Sequence, residues 1–227
     1  MANFIFSALL ALCVTLMPVS AKADRGPALQ DTIPVIALED SSSSNKTFEN
    51  LKGEKGAAIV FVRSVDWCPY CQAQLIELSA RNEDFEKAGY KLVSISYDGV
   101  DKLASFKKKH SISFVMLSDP ASDLIRSFDL LDDSFAVGSF AYGAPKPAIF
   151  IVDNEQKVSA KFYEEDYKKR PSVDDVLSAI KGPEKEKADE LTQIDDTEMV
   201  KQDAAKVQNK MKKQKQKKIE DIEPSSE

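Results

Sequence analysis

Cys68 and Cys71 stand in the run Trp67-Cys68-Pro69-Tyr70-Cys71, a spacing that supports thiol redox chemistry when the first sulfur sits at the start of a helix. A thiolate in that position faces unpaired backbone N–H groups and the positive end of the helix dipole. Its pKa falls, and it becomes a nucleophile near neutral pH. A second cysteine one turn later is close enough to attack a mixed disulfide or a sulfenic acid formed on the first. Cys68 is therefore the expected attacking thiol, Cys71 the expected resolving thiol, and the two together a redox-active disulfide. Two structural readings compete. A zinc site needs about four ligands, and the chain adds only Cys13 and a single histidine, His110, to the pair. A purely structural disulfide closing so short a loop removes little entropy from the unfolded chain. No metal or other cofactor is expected.

The elements around the pair must place it at a strand-to-helix turn. Ala57 to Val62 is a continuous apolar run of strand length, the mark of a central strand buried on both faces. The spacing of Cys71, Leu75, Leu78 and Phe85 predicts one helix after it, with Pro69 in the first turn and Gly89 closing it. Thr32 to Leu38 is an earlier strand candidate. Further on come a strand over Lys91 to Ser96, a helix from Val100 to His110 capped by Asp98, and a strand around Phe114 to Leu117. Ser118-Asp119-Pro120 opens a helix carrying Leu124, Ile125 and Phe128. Ala148 to Val152 and Lys157 to Tyr163 flank a hairpin turn, and a Ser172-capped helix runs to Gly182-Pro183. Strands alternating with helices before a terminal hairpin predict an α/β sandwich with a mixed central sheet.

The chain has 227 residues, 43% of them hydrophobic, and a net charge of -6 with both signs interspersed. That bounds one ordinary domain and argues against a nucleic-acid partner. Residues 1–23 read as a signal peptide: an apolar stretch from Phe4 to Met17, too short for the roughly 20 residues of a membrane span, then Ala21-Lys22-Ala23. Cleavage there removes Cys13 and leaves Cys68 and Cys71 in an exported, periplasmic or secreted chain without a membrane span. Residues 24–182 form the expected domain. Residues 183–227, with seven lysines between Lys206 and Lys218, have the composition of a charged, disordered or partly helical tail.

The stretch from Thr32 to Ile180 resembles the thioredoxin superfamily, and within it the alkyl hydroperoxide reductase/thiol-specific antioxidant, or peroxiredoxin-like, branch. The resemblance rests on Asp66 to Leu75, Leu92 to Ser96, Phe114 to Asp119 and Pro147 to Asp153. It implies a thioredoxin-like fold and antioxidant thiol chemistry, with a peroxide or a dithiol/disulfide protein as partner. By the same resemblance Cys68 matches the attacking cysteine. Pro147, with Pro145 as rival, matches the proline that is cis in thioredoxins and faces the cysteines; Trp67 and Pro147 are the candidate substrate-binding residues. The chain departs from the family pattern where Phe61 and Val65 replace a proline and a threonine, so the peroxide-binding hydroxyl is absent there. Ser64 is the neighbouring substitute.

Arg63 lies near the motif and reads either as a thiolate-stabilising group or as half of a surface ion pair. A second function class stands beside the enzyme: a redox-inactive thioredoxin-fold module that holds a partner through the charged tail. Paired cysteines at a helix start favour the enzyme.

Overall fold

The structure, a computed structural model, describes residues 24–181. The signal peptide assigned to 1–23 and the tail assigned to 183–227 lie outside the described residues. A seven-stranded mixed sheet has the order β2-β1-β5-β4-β3-β6-β7, where β1 is Ala37–Asp40, β2 Asn45–Thr47, β3 Gly56–Phe61, β4 Tyr90–Ser96, β5 Val115–Ser118, β6 Ala148–Asp153 and β7 Val158–Tyr163. The apolar run becomes β3, buried at every position, parallel to β4 on one side and antiparallel to β6 on the other. Burial on both faces is why it reads as continuous rather than alternating. The helices are α1 (Phe48–Leu51), α2 (Pro69–Ala80), α3 (Asn82–Lys87), α4 (Val100–His110), α5 (Asp123–Ser127) and α6 (Val173–Lys181). Among the described residues no helix is long and apolar enough to cross a membrane.

Two apolar layers cover the sheet. One contains Cys68, Cys71, Leu75, Leu78 and Phe85 with Phe106, Val176 and Ile180; the other contains Ile36, Phe61, Phe128 and Phe150. The Phe61, Phe128 and Phe150 rings meet at centroid distances of 4.7 to 6.0 Å, within the range of favourable aromatic pairs.

Three local expectations change. The strand predicted over Thr32 to Leu38 begins only at Ala37, and Thr32 makes an isolated bridge to Lys157. Pro34 removes a ladder donor in between, while Ile33 and Ile36 still reach the core. The single helix predicted from Pro69 breaks at Arg81 (φ -110, ψ 12) into α2 and α3. Leu78 and Phe85 lie two turns apart, so their spacing hides the break; Gly89, at φ +88, ends α3 as expected. Lastly, Gly99 caps α4 rather than Asp98, whose side chain turns inward instead.

Candidate active site

The chain leaves β3 through Val62, Arg63, Ser64, Val65 and Asp66 before entering α2, and Asp98 holds this loop in shape. Its carboxylate accepts the Ser64 hydroxyl at 2.7 Å, the Val65 N–H at 2.8 Å and the Ser96 hydroxyl at 2.8 Å. Ser64 Oγ in turn accepts the Asp66 N–H at 2.9 Å, and the Gln72 side-chain amide donates to the Val65 carbonyl at 2.8 Å. Asp98 and Ser64 are both buried, so each of these bonds avoids an unsatisfied polar group as well as joining two segments. The Ser64 hydroxyl is engaged by Asp98 and is not free to replace the hydroxyl missing at Val65.

Cys68 is the N-cap residue of α2, with extended backbone (φ -102, ψ 98) and its sulfur accepting the Cys71 N–H at 3.3 Å. Pro69 follows in the first helical position, where its missing N–H costs nothing. Cys68 and Cys71 are joined by a disulfide, with Cα atoms 5.3 Å apart. Cys71, Gln74, Leu75 and Leu78 form the buried face of α2, so the second sulfur is fixed by packing, while Pro69 and Tyr70 are exposed.

Trp67 is half-buried beside this pair. Its Nε1 donates to Tyr97 Oη at 2.8 Å, and Tyr97 donates onward to the Phe140 carbonyl at 2.9 Å. The rings of Phe140 and Phe135 meet the indole edge-to-face at 5.3 and 6.3 Å. Burial raises the Tyr97 pKa, the Trp67 hydrogen bond partly opposing it, so the phenol remains a donor at neutral pH.

Arg63 is not a surface residue: it is 7% exposed and has no ion pair among the described residues. Its guanidinium carbon lies 4.1 Å from the Tyr167 ring centroid, 4.8 Å from Trp67 and 5.1 Å from Phe135. Arg170 reaches the same place from the segment between β7 and α6. It donates to Gln74 Oε1 at 3.0 Å and brings Nη2 to 3.7 Å from Cys71 Sγ. Desolvation, followed by repulsion from Arg63, lowers its pKa to about 10.

Pro147 immediately precedes β6 and lines a small crevice with Gln74 and Arg170. The expected cis peptide is not found, since the described residues contain none. Pro145 lies apart in a bridge to Leu131. His110 ends α4 with its ring 4.6 Å from Phe106. The sequence reading missed Arg170, Tyr97, Phe135, Phe140 and Tyr167 and gave Asp98 a different task. Only the aromatic residues clustered in the irregular stretch before β6 offered a signal.

Comparison with known proteins bears on the family and the fold. Residues 29–161 match the AhpC/TSA family. The 1-Cys peroxiredoxin PER1 of Zea mays is 27% identical over 172 residues, covering 68% of this chain and 72% of the relative. Peroxiredoxin Bcp of Escherichia coli is 24% identical over 151 residues, covering 66% and 94%. Among solved structures, Peroxidoxin BcpB from Mycobacterium tuberculosis superposes with a TM-score of 0.58 at 20% identity, covering 67% of this chain and 96% of that one. The fold is thioredoxin-like and peroxiredoxin-type.

Proposed function

The chain belongs to the AhpC/TSA family, and from that premise we propose that it is a two-cysteine thiol oxidoreductase in which Cys68 attacks and Cys71 resolves. Its relatives are peroxiredoxins, and it is an enzyme of this thiol-peroxidase type. The observation that carries the two-cysteine reading is the Cys68–Cys71 disulfide at the N-cap of α2. In the reduced state, the α2 dipole favours the thiolate at the N-cap sulfur.

With a disulfide substrate, the Cys68 thiolate attacks one sulfur, the substrate S–S bond breaks, and one half leaves as a thiolate. The Cys71 thiolate then attacks Cys68, forming the internal disulfide and releasing the second half as a thiolate, which takes a proton from water. With a hydroperoxide, attack on the terminal oxygen releases an alcohol and leaves a sulfenic acid. Cys71 converts this to the same disulfide with loss of water. Either way an external dithiol restores the reduced pair.

Two features support disulfides as the faster substrates. Val65 carries no hydroxyl, and the neighbouring Ser64 hydroxyl donates to Asp98. Peroxide cleavage depends on donors placed for the leaving oxygen, whereas exchange needs a low-pKa sulfur and a second thiol within reach. The apolar stretch before Ala21-Lys22-Ala23 supports export, which would place the pair in a compartment where disulfides persist.

Stopped-flow Trp67 fluorescence of the reduced protein tests the reading. We expect faster oxidation by hydroxyethyl disulfide than by hydrogen peroxide at equal concentration. Cys68→Ser abolishes both reactions, and Cys71→Ser stops at a mixed disulfide. A peroxide rate ahead by about tenfold, some 1.4 kcal/mol in barrier, rejects the disulfide preference; if neither oxidant reacts, the redox reading itself fails, leaving the redox-inactive binding module.

A further inference from the structure

Arg170 lies against the cysteine pair, Arg63 is close enough to repel Arg170, and among the described residues neither arginine is in an ion pair. Ion pairs engage other cations, among them Arg25, Lys102 and Lys161. Among the described residues, none involves Arg63 or Arg170. Arg63 Nε is buried without any hydrogen-bond partner there. Arg170 spends its donors on neutral groups: Gln74 Oε1, the carbonyls of Tyr167 and Lys169, and the Cys71 sulfur. Asp166 is the carboxylate that acts on Arg170 from outside ion-pair distance, and its Oδ1 already accepts the Lys168 N–H at 3.0 Å.

Ring faces offset part of the cost of burying a cation, which is why Arg63 tolerates its place over Tyr167, Trp67 and Phe135. They do not cancel the repulsion between two arginines, which contributes to the depressed pKa of Arg170. An anion would relieve both, and a guanidinium fork matches the two oxygens of a carboxylate. Beside Arg63, Tyr167 meets Tyr70 edge-to-face at 6.0 Å, and the two are 40% and 41% exposed, so solvent reaches their rings.

We propose that Arg63 and Arg170 form a subsite for a carboxylate carried by the substrate, making small acidic disulfides the preferred substrates of the Cys68–Cys71 pair. This inference rests on the thiol-oxidoreductase reading. The two arginines hold the acid group beside Cys71 while the substrate S–S bond reaches Cys68.

The experiment compares three disulfides of similar length with the reduced full chain: anionic dithiodipropionate, neutral hydroxyethyl disulfide and cationic cystamine. Each rate is divided by that of the same disulfide with mercaptoethanol, which removes intrinsic reactivity. We expect the anion to lead the neutral compound by about tenfold or more, the scale of one charge-assisted hydrogen bond, and the cation to be slowest. The ratio falls towards one in Arg170→Gln and in Arg63→Gln. Altered thiolate basicity would slow all three compounds together and leave the ratio unchanged. Equal normalised rates in the wild type, or an anion preference that survives both substitutions, overturns the subsite. If no disulfide reacts, the disulfide-exchange reading fails, and glutarate binding to the oxidised protein decides the subsite separately. A Trp67 fluorescence change with glutarate that is lost in Arg170→Gln supports it; no change rejects it.

Discussion

Asp98 ties the loop before Cys68 to the end of β4 through one carboxylate. Val65 and Ser64 lie 33 and 34 residues away in sequence, and all three of its partners donate to the same buried group. Removing the acceptor strands those donors where water cannot replace it. Asp98→Ala should therefore cost about 3 kcal/mol, a fall of roughly 10 °C in melting temperature for a domain of this size. Because the loop sets where Cys68 enters α2, the same variant should shift the pH profile of Cys68 alkylation in the folded, reduced protein. An unchanged melting temperature and alkylation profile would mean that the loop is held by Gln72 and by packing alone.

The β1–β2 connection shows how one element can depend on charge. Asp40 closes the turn by accepting the Ser42 N–H at 2.8 Å, the Ser42 hydroxyl at 2.6 Å and the Ser44 N–H at 3.1 Å, with Lys46 at 3.3 Å. Desolvation works to raise its pKa, but these bonds outweigh it and hold the carboxyl at about 2. A pKa lowered by folding contributes stability at neutral pH that is lost as the pH falls from about 4 through about 2. That contribution is about 2 kcal/mol by linkage. Urea unfolding of the wild type and Asp40→Ala should thus differ by this amount at neutral pH and converge only below pH ~2. A difference independent of pH would assign the effect to the shape of the turn. In α2 the local signals agree with one another: Pro69 in the first turn, a buried face through Cys71, Leu75 and Leu78, and the N-cap sulfur.

The two layers on the sheet give the molecule two ways to lose stability, only one of which touches the chemistry. Leu75 lies one turn beyond Cys71 on the buried face of α2, whereas Phe128 packs on Phe61 and Phe150 across the sheet. Truncating either leaves a cavity and should lower stability by about 3 kcal/mol. Leu75→Ala should also change the reduction potential of the pair, because it loosens the packing that fixes Cys71, while Phe128→Ala should leave it near the wild-type value. Equal potentials in all three proteins would show that α2 holds the sulfurs without support from that layer.

The local sequence determined the chemistry and its immediate scaffold. An apolar run, a proline and two cysteines at helical spacing define a buried strand feeding a helix with a sulfur at its N-terminus, because periodicity and capping act within about ten residues. From β3 onward the order of strands and helices followed for the same reason, apart from the Arg81 break that a seven-residue spacing conceals, whereas the short β2 and α1 were not foreseen. Only the tertiary structure decided what surrounds the sulfurs. Arg170 lies 99 positions from Cys71 and Asp98 lies 34 from Ser64, and the sequence near each suggests a surface charge and a helix cap. Sheet register brings them to the loop after β3, and burial removes the water that would otherwise have satisfied them. The physical character of both charges, and of Arg63, whose Nε has no hydrogen-bond partner among the described residues, follows from that burial.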